Sequence, residues 1–196
     1  VSVFGGTVDA TTIDNNGTFN FTGGTVDATT IHNNGTFNFS GGTLNVDTFN
    51  GHLNNTGGTL GPGHSPGTTT INGDYSQDAT STLLIEIEGL LAGTEYDVLN
   101  VTGTATLDGI LEFDVDYSAL LLGDSFNILN ADVISGTFAS ITDRRINLDW
   151  VWELDYNLDV AGTDVLTATV AAVPIPAAVY LFASGLGLLG WFRRRA

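Results

Sequence analysis

Residues 5–22 read GGTVDATTIDNNGTFNFT, and residues 23–40 repeat that segment at 16 of 18 positions, differing only at Asp14/His32 and Thr22/Ser40. A looser copy, GGTLNVDTFNGHLNNT, fills 41–56 and is two residues shorter. A fourth Gly-Gly at 57–58 opens GGTLGPGHSPG, where the pattern dissolves. Each copy alone has too few apolar residues to bury a core, so copies must stack on one another. In register, Val8, Val26, Leu44 and Leu60 share one position. Ile13, Ile31 and Phe49 share a second, and Phe19, Phe37 and Leu53 a third. The segments between Gly-Gly and Asn-Gly are short and rich in Thr, Val, Ile and Phe, which predicts strands joined by tight turns. A period of 18 residues suits one coil of a β-helix, with coils about 4.8 Å apart. Asn15-Asn16 and Asn33-Asn34 recur at one turn, where stacked amides can bond from coil to coil. The third copy lacks the pair, so that ladder is expected to stop there.

Beyond the Gly- and Pro-rich GPGHSPG at 61–67, expected to turn the chain and interrupt regular pairing, β character persists without the strict repeat. Leu83, Ile85 and Ile87 alternate with Leu84, Glu86 and Glu88, the mark of a half-buried strand. Asp108-Gly109 predicts a hairpin or tight corner, and further strands are expected near 125–129, 136–141, 148–154 and 165–170. The expected fold class is all-β: a right-handed parallel β-helix with a less regular β region, then one C-terminal transmembrane helix. The divisions are 1–67 for the repeat coils, 68–172 for a β-rich continuation or cap, and 173–196 for a tail. Continuation of the helix through 94–170 is favoured over a separate sandwich-like unit, because a solenoid needs a terminal unit that hides its last edge.

The chain has 196 residues, no Cys, no Met and a net charge of −17. Absence of cysteine excludes disulfides and thiolate metal sites. Starting at Val1 without methionine, it is expected to be a processed chain or a fragment. All 22 acidic residues lie at or before Asp164, whereas three of the five basic residues are Arg193, Arg194 and Arg195. So acidic a body repels phosphate, which excludes nucleic-acid binding.

Residues 173–196, VPIPAAVYLFASGLGLLGWFRRRA, follow different physics. The run 177–192 carries no charge over 16 residues. As a helix, the 20 residues from Val173 would span roughly 30 Å, about the thickness of a hydrocarbon core. Trp191 beside the arginines suits an interfacial belt, and the positive-inside rule keeps Arg193, Arg194 and Arg195 cytoplasmic with the acidic body across the membrane. A buried or amphipathic terminal helix and a permanent anchor are the alternatives.

Val173-Pro174-Ile175-Pro176-Ala177-Ala178, then SGLGLLG at 184–190, then Arg193-Arg194-Arg195 form an ordered set. It resembles the PEP-CTERM sorting signals handled by exosortases, including the variant group whose motif reads Val-Pro-Leu-Pro-Ala. Ile175 stands where the common motif has Glu. The resemblance implies a membrane-embedded cysteine protease that cleaves near the Pro-x-Pro motif, a transient anchor, a Gram-negative-type envelope and, often, coexistence with exopolysaccharide. Residues 60–67, 72–75 and 96–103 (LGPGHSPG, NGDY and YDVLNVTG) resemble the late passenger region of autotransporter adhesins, which are β-helices. No barrel is expected to follow, the signal-like tail standing in its place, so the expectation is a passenger-like scaffold and not autotransport.

Catalytic chemistry finds little purchase. His32, His52 and His64 sit in turn-like repeat segments, and His32 replaces Asp14, as at a variable exposed site. Asp143 with Arg144 and Arg145 is the one place where acids and bases cluster, and a solvated loop explains it. Ca²⁺ is the one cofactor this acidity would attract, through Asp114, Asp116, Asp124, Asp155 and Asp159. Neither an EF-hand loop nor the calcium β-roll nonapeptide is present, and no metal or catalytic residue is assigned. The Asn-x-Ser/Thr sequons are assigned no glycan role. The expectation is an exported, non-catalytic scaffold or adhesin-like protein of the surface or extracellular matrix. Its partners would be the membrane through the tail, an exosortase and an exopolysaccharide. A surface polysaccharide-active β-helix, lyase or hydrolase, is the rival.

Overall fold

The computed structural model describes residues 1–144, 150–160 and 162–173, the side chains of residues 158–160 excepted. The described residues are all-β, with no helix. Fifteen strands join one sheet. They are β1 (Ser2–Val3), β2 (Thr7–Asn15), β3 (Thr18–Asn33), β4 (Thr36–Asn50), β5 (Leu53–Asn55), β6 (Thr59–Pro62), β7 (Thr68–Asn72), β8 (Tyr75–Gln77), β9 (Thr82–Ile87), β10 (Val98–Leu107), β11 (Ile110–Val115), β12 (Ser125–Gly136), β13 (Ser140–Asp143), β14 (Trp150–Val160) and β15 (Thr163–Ala172). The expected transmembrane helix lies outside the described residues.

From β1 to β13 every strand pairing is parallel, as a stacked solenoid requires. The buried side chains of one coil are Phe19, Phe21, Val26, Ala28 and Ile31. Steps of two are strand alternation; the odd steps from 21 to 26 and from 28 to 31 mark corners, where the chain must turn to keep apolar groups inside. The three straight stretches define side A (18–22), side B (25–28) and side C (30–33), with their equivalents above and below.

The apolar columns follow the repeat. Val8, Val26, Leu44, Leu60, Leu83 and Leu111 are in register along side B. Ile13, Ile31, Phe49, Ile71, Val101 and Ala131 are in register along side C. Identical residues at identical positions also place aromatic rings face to face. Phe19 stacks on Phe37 with centroids 5.0 Å apart, and Phe21 on Phe39 at 5.2 Å. Such pairs add about 0.5–1.5 kcal/mol beyond burial.

The Phe21–Phe39 column then turns polar, continuing through Asn55 and Gln77, both buried. Asn55 Oδ1 accepts the N–H of Gly58 at 2.7 Å, and its Nδ2 donates to the Gly58 carbonyl at 2.9 Å. Gln77 Nε2 reaches the carbonyls of Asp108, Ile110 and Ser81 at 2.9, 3.0 and 3.2 Å, while its Oε1 accepts from the Tyr75 hydroxyl at 2.8 Å. These amides satisfy the carbonyls that a turning backbone leaves inside. Gln77→Leu should cost about 1–3 kcal/mol, since it removes the amide donor shared by the Asp108 and Ile110 carbonyls and one acceptor of the buried Tyr75 hydroxyl; a denaturation midpoint within error of the parent would disprove that accounting.

Past the near-exact repeats the coils lengthen at one corner, between sides B and C. Gly61 and Pro62 still pair with Asn45 and Val46, so the ladder runs through the start of the Gly- and Pro-rich segment, and only residues 63–67 leave it. Longer loops occupy the same corner at 88–97 and 116–124. Asp108-Gly109 is a tight corner rather than a hairpin: β10 and β11 do not pair with each other, and Gly109 has φ 65°.

Region 94–170 begins as the favoured continuation of the coils and ends in an antiparallel pair that stays within the same sheet rather than forming a separate sandwich. β10 to β13 continue the parallel stack. β15 then lies antiparallel on β12, and β14 antiparallel on β15. Trp152, on β14, stacks on Phe113 at 4.2 Å and meets Phe126 edge-on at 5.9 Å. The hairpin thus covers the last coil's apolar interior and the edge of β12, while β13 stays an outer strand of the sheet.

Candidate binding surfaces

Stacking sorts outward residues into columns, so each side of the solenoid acquires its own chemistry. Side B is acidic, carrying Asp9, Asp27, Glu86, Glu112 and Asp114, with Glu88 and Asp116 beyond. Sides A and C are lined by hydroxyls and amides. Along side C, Thr12, Thr30, Thr48, Thr70, Asn100 and Asn130 are in register. Along side A the column is Ser2, Asn20 and Asn38, then Asn54, Ser76, Thr106 and Ser135.

The Asn15–Asn33 ladder ends as expected. Asn15 Nδ2 donates to Asn33 Oδ1 at 2.7 Å, and the next coil places Gly51 over Asn33. A neighbouring column carries the amides onward. Asn50 meets His32 Nδ1 at 3.0 Å, and Asn72 Nδ2 donates to Asn50 Oδ1 at 2.7 Å. His32, exposed, is therefore a rung of this ladder at the position that holds Asp14 one coil earlier.

His52 pairs with Asp74 at 3.1 Å. His64 lies between two carboxylates, Nε2 at 2.8 Å from Asp27 and Nδ1 at 2.8 Å from Asp47. Its pKa is raised, chiefly by the Asp47 hydrogen bond and against partial burial. With both ring nitrogens engaged, it ties three successive coils together and leaves no free base for catalysis.

Asp143 and Arg144 do not face each other as an acid–base pair. Arg144 bonds to Glu112 and lies 3.6 Å from Asp114, while Asp143 accepts the Trp152 indole N–H. Both contacts clamp the last parallel coil, one to its neighbour and one to the cap. Arg145 lies outside the described residues. Of the calcium candidates, Asp124 accepts the Leu121 N–H at 2.7 Å. Asp114 is engaged with Arg144, Asp116 follows the end of β11, and Asp155 lies on β14. The Asp159 side chain is outside the described set. Among the described residues, no group of three or more His, Asp or Glu converges as a metal site.

Two features escaped sequence reading. Asp97 is fully buried at the lengthened corner, its Oδ1 accepting the Gly67 N–H at 2.7 Å and its Oδ2 the Glu86 N–H at 2.8 Å. Burial pushes its pKa up to about 7, with Glu86 and Glu88 adding to the rise and the two N–H donors opposing it. Its only sequence signal was an acid between apolar neighbours at the start of a strand, Tyr96-Asp97-Val98. The second feature is apolar: Leu90, Leu91, Leu121 and Leu122, 51–64% exposed, tip the loops at that corner. Gly123 donates to the Val170 carbonyl at 2.8 Å, which sets the second loop beside the end of β15.

Of the sorting motif, Val173 is described; it is exposed and follows the last residue of β15. Pro174, Ile175, Pro176, Ala177, Ala178, Arg193, Arg194 and Arg195 lie outside the described residues. No helix among the described residues is long and apolar enough to cross a membrane. No family model matches the chain, and no curated protein is detectably similar to it.

Proposed function

We propose that this chain is an exported, non-catalytic scaffold of the bacterial surface or extracellular matrix, sorted through residues 173–196 by an exosortase. One observation carries the reading: the ordered Pro-x-Pro, apolar and arginine segments begin where β15 ends. Cleavage near the motif would release the β-solenoid body with its cap complete. The finer description of that body as a right-handed β-helix belongs to the same proposal. While the tail remains in the bilayer, the exposed leucines of the loop beside β15 would rest at the membrane interface, and the acidic side B would stay in water. Paired histidines and an arginine held between carboxylates favour a structural role over a polysaccharide lyase or hydrolase. The body's task would be adhesion or matrix building, with exopolysaccharide as its partner class.

Intact-mass spectrometry of the mature protein, from its native host and from a strain lacking exosortase, tests this. A C-terminus near Val173 to Ala178 that depends on the exosortase is the expected result. Persistence of Arg193, Arg194 and Arg195 in both strains would make the chain a permanently anchored envelope protein.

A further inference from the structure

Where the amide and hydroxyl column of side A is hydrogen-bonded, each coil donates to the coil before it. Asn20 Nδ2 reaches Ser2 Oγ at 3.4 Å, Asn38 Nδ2 donates to Asn20 Oδ1 at 2.7 Å, and Ser76 Oγ donates to Asn54 Oδ1 at 2.7 Å. Between the second and third coils the corresponding bond, from Asn54 Nδ2 to Asn38 Oδ1, is not made. The third coil is two residues short on its way to side A. Its ladder with the second coil there reduces to the single pair Phe39–Asn55. Where the rung should be, a cleft of about 310 Å³ opens, lined by Gly35, Thr36, Phe37, Asn38, Phe39, Asn54 and Thr56. That volume lies at the low end of small-ligand sites.

The lining carries no charge, in a chain of net charge −17. Asn38 Oδ1, an acceptor, and Asn54 Nδ2, a donor, have no partners among the described residues and border the same cleft. A group that fills the rung must donate to the first and accept from the second, which a hydroxyl does and a carboxylate or ammonium does not. Phe37 and Phe39 lie beneath the cleft with their rings buried in the core, so its accessible surface is formed mainly by the threonines and amides of its rim. A neutral polar lining and a hydroxyl-sized gap between an amide donor and an amide acceptor describe one ligand class. We infer that the cleft between the second and third coils binds a neutral sugar unit, one of whose hydroxyls bridges Asn54 to Asn38. This site does not depend on how the chain is sorted.

The test is NMR titration of the full chain, ¹⁵N-labelled in a detergent without a sugar headgroup. The probes are glucose, galactose, mannose and N-acetylglucosamine, with glucuronate as a charged counterpart. At least one neutral sugar should move the side-chain amide signals of Asn38 and Asn54 saturably in the millimolar range, ahead of glucuronate. Asn54→Ala and Asn38→Ala should each weaken binding about tenfold, the effect of one lost hydrogen bond. Asn72→Ala, on side C, should leave it unchanged. Absence of a saturable shift with every neutral sugar would mean that water alone fills the rung and would overturn the inference. So would a preference for glucuronate, or parent-like affinity in both side A variants with their spectra otherwise intact.

Discussion

Gly24→Ala should destabilise the N-terminal coils by about 2–3 kcal/mol more than Gly6→Ala, although the two glycines occupy the same place in nearly identical sequence. Gly6 and Gly24 have φ of 75° and 87°, so a side chain at either costs about 1–2 kcal/mol of left-handed strain. They differ in what stands above them. A Cβ on Gly6 meets nothing within 4 Å, whereas one on Gly24 would lie 2.3 Å from the Gly6 carbonyl oxygen and 2.7 Å from the Gly5 carbonyl carbon. Those are backbone atoms of the stacked coil, which cannot rotate aside, so the coils must separate locally and lose ladder bonds. Because a solenoid unravels coil by coil, amide hydrogen exchange is the right readout. Protection of residues 7–15 should collapse in Gly24→Ala and fall modestly in Gly6→Ala, while residues 98–107 stay protected in both. Equal effects of the two substitutions would show that the glycines serve only the turn.

The second large effect centres on Asp97. Its carboxyl has an ordinary value of 3.8 and is pushed up to about 7 in the folded protein. The folded state therefore holds a proton there that the unfolded chain has released, and stability falls as pH rises between about 4 and 7. The full swing is on the order of 4 kcal/mol, from about 1.4 kcal/mol per pH unit over the interval from 3.8 to about 7. Asp97→Asn removes the titration while keeping the volume. It turns an amide toward one of the two N–H donors, so it should cost about 1–3 kcal/mol at low pH and flatten the profile. His64 acts with the same sign, since its raised pKa stabilises the fold below its ordinary 6.5 and is lost above it. Asp78 acts oppositely: the Thr80 N–H holds its pKa below 3.8, so its contribution fades only as the medium becomes more acidic than that. Urea midpoints between pH 5 and 8 for parent and Asp97→Asn isolate the buried carboxyl, because the other groups cancel in the difference. Parallel profiles would mean that Asp97 is ionised throughout and that its two N–H donors outweigh its burial.

What the sequence determined by itself is the part set by translation along one axis. Two copies identical at 16 of 18 positions dictate that like stacks on like. The columns from Val8 to Leu60, from Ile13 to Phe49 and from Phe19 to Leu53 could therefore be read before any coordinates. The end of the Asn15–Asn33 ladder followed from the same register, since the third copy lacks the amide. The tail proposed as a sorting signal is likewise legible only as sequence.

Tertiary structure decided whatever depends on departures from that translation. Asn55 and Gln77 are polar, yet they take over an interior column, where they bond to backbone groups at the corners. Asp97 looked like one acid among 22. Only the stacking of the lengthened corners, one over another, aims two backbone N–H groups at it. The antiparallel cap, with Trp152 over Phe113, answers an exposed coil end that exists only once the stack is built. The broken rung between Asn38 and Asn54 has the same origin: a two-residue deletion is visible in the sequence, but where its slack opens is settled by which strand it fails to meet.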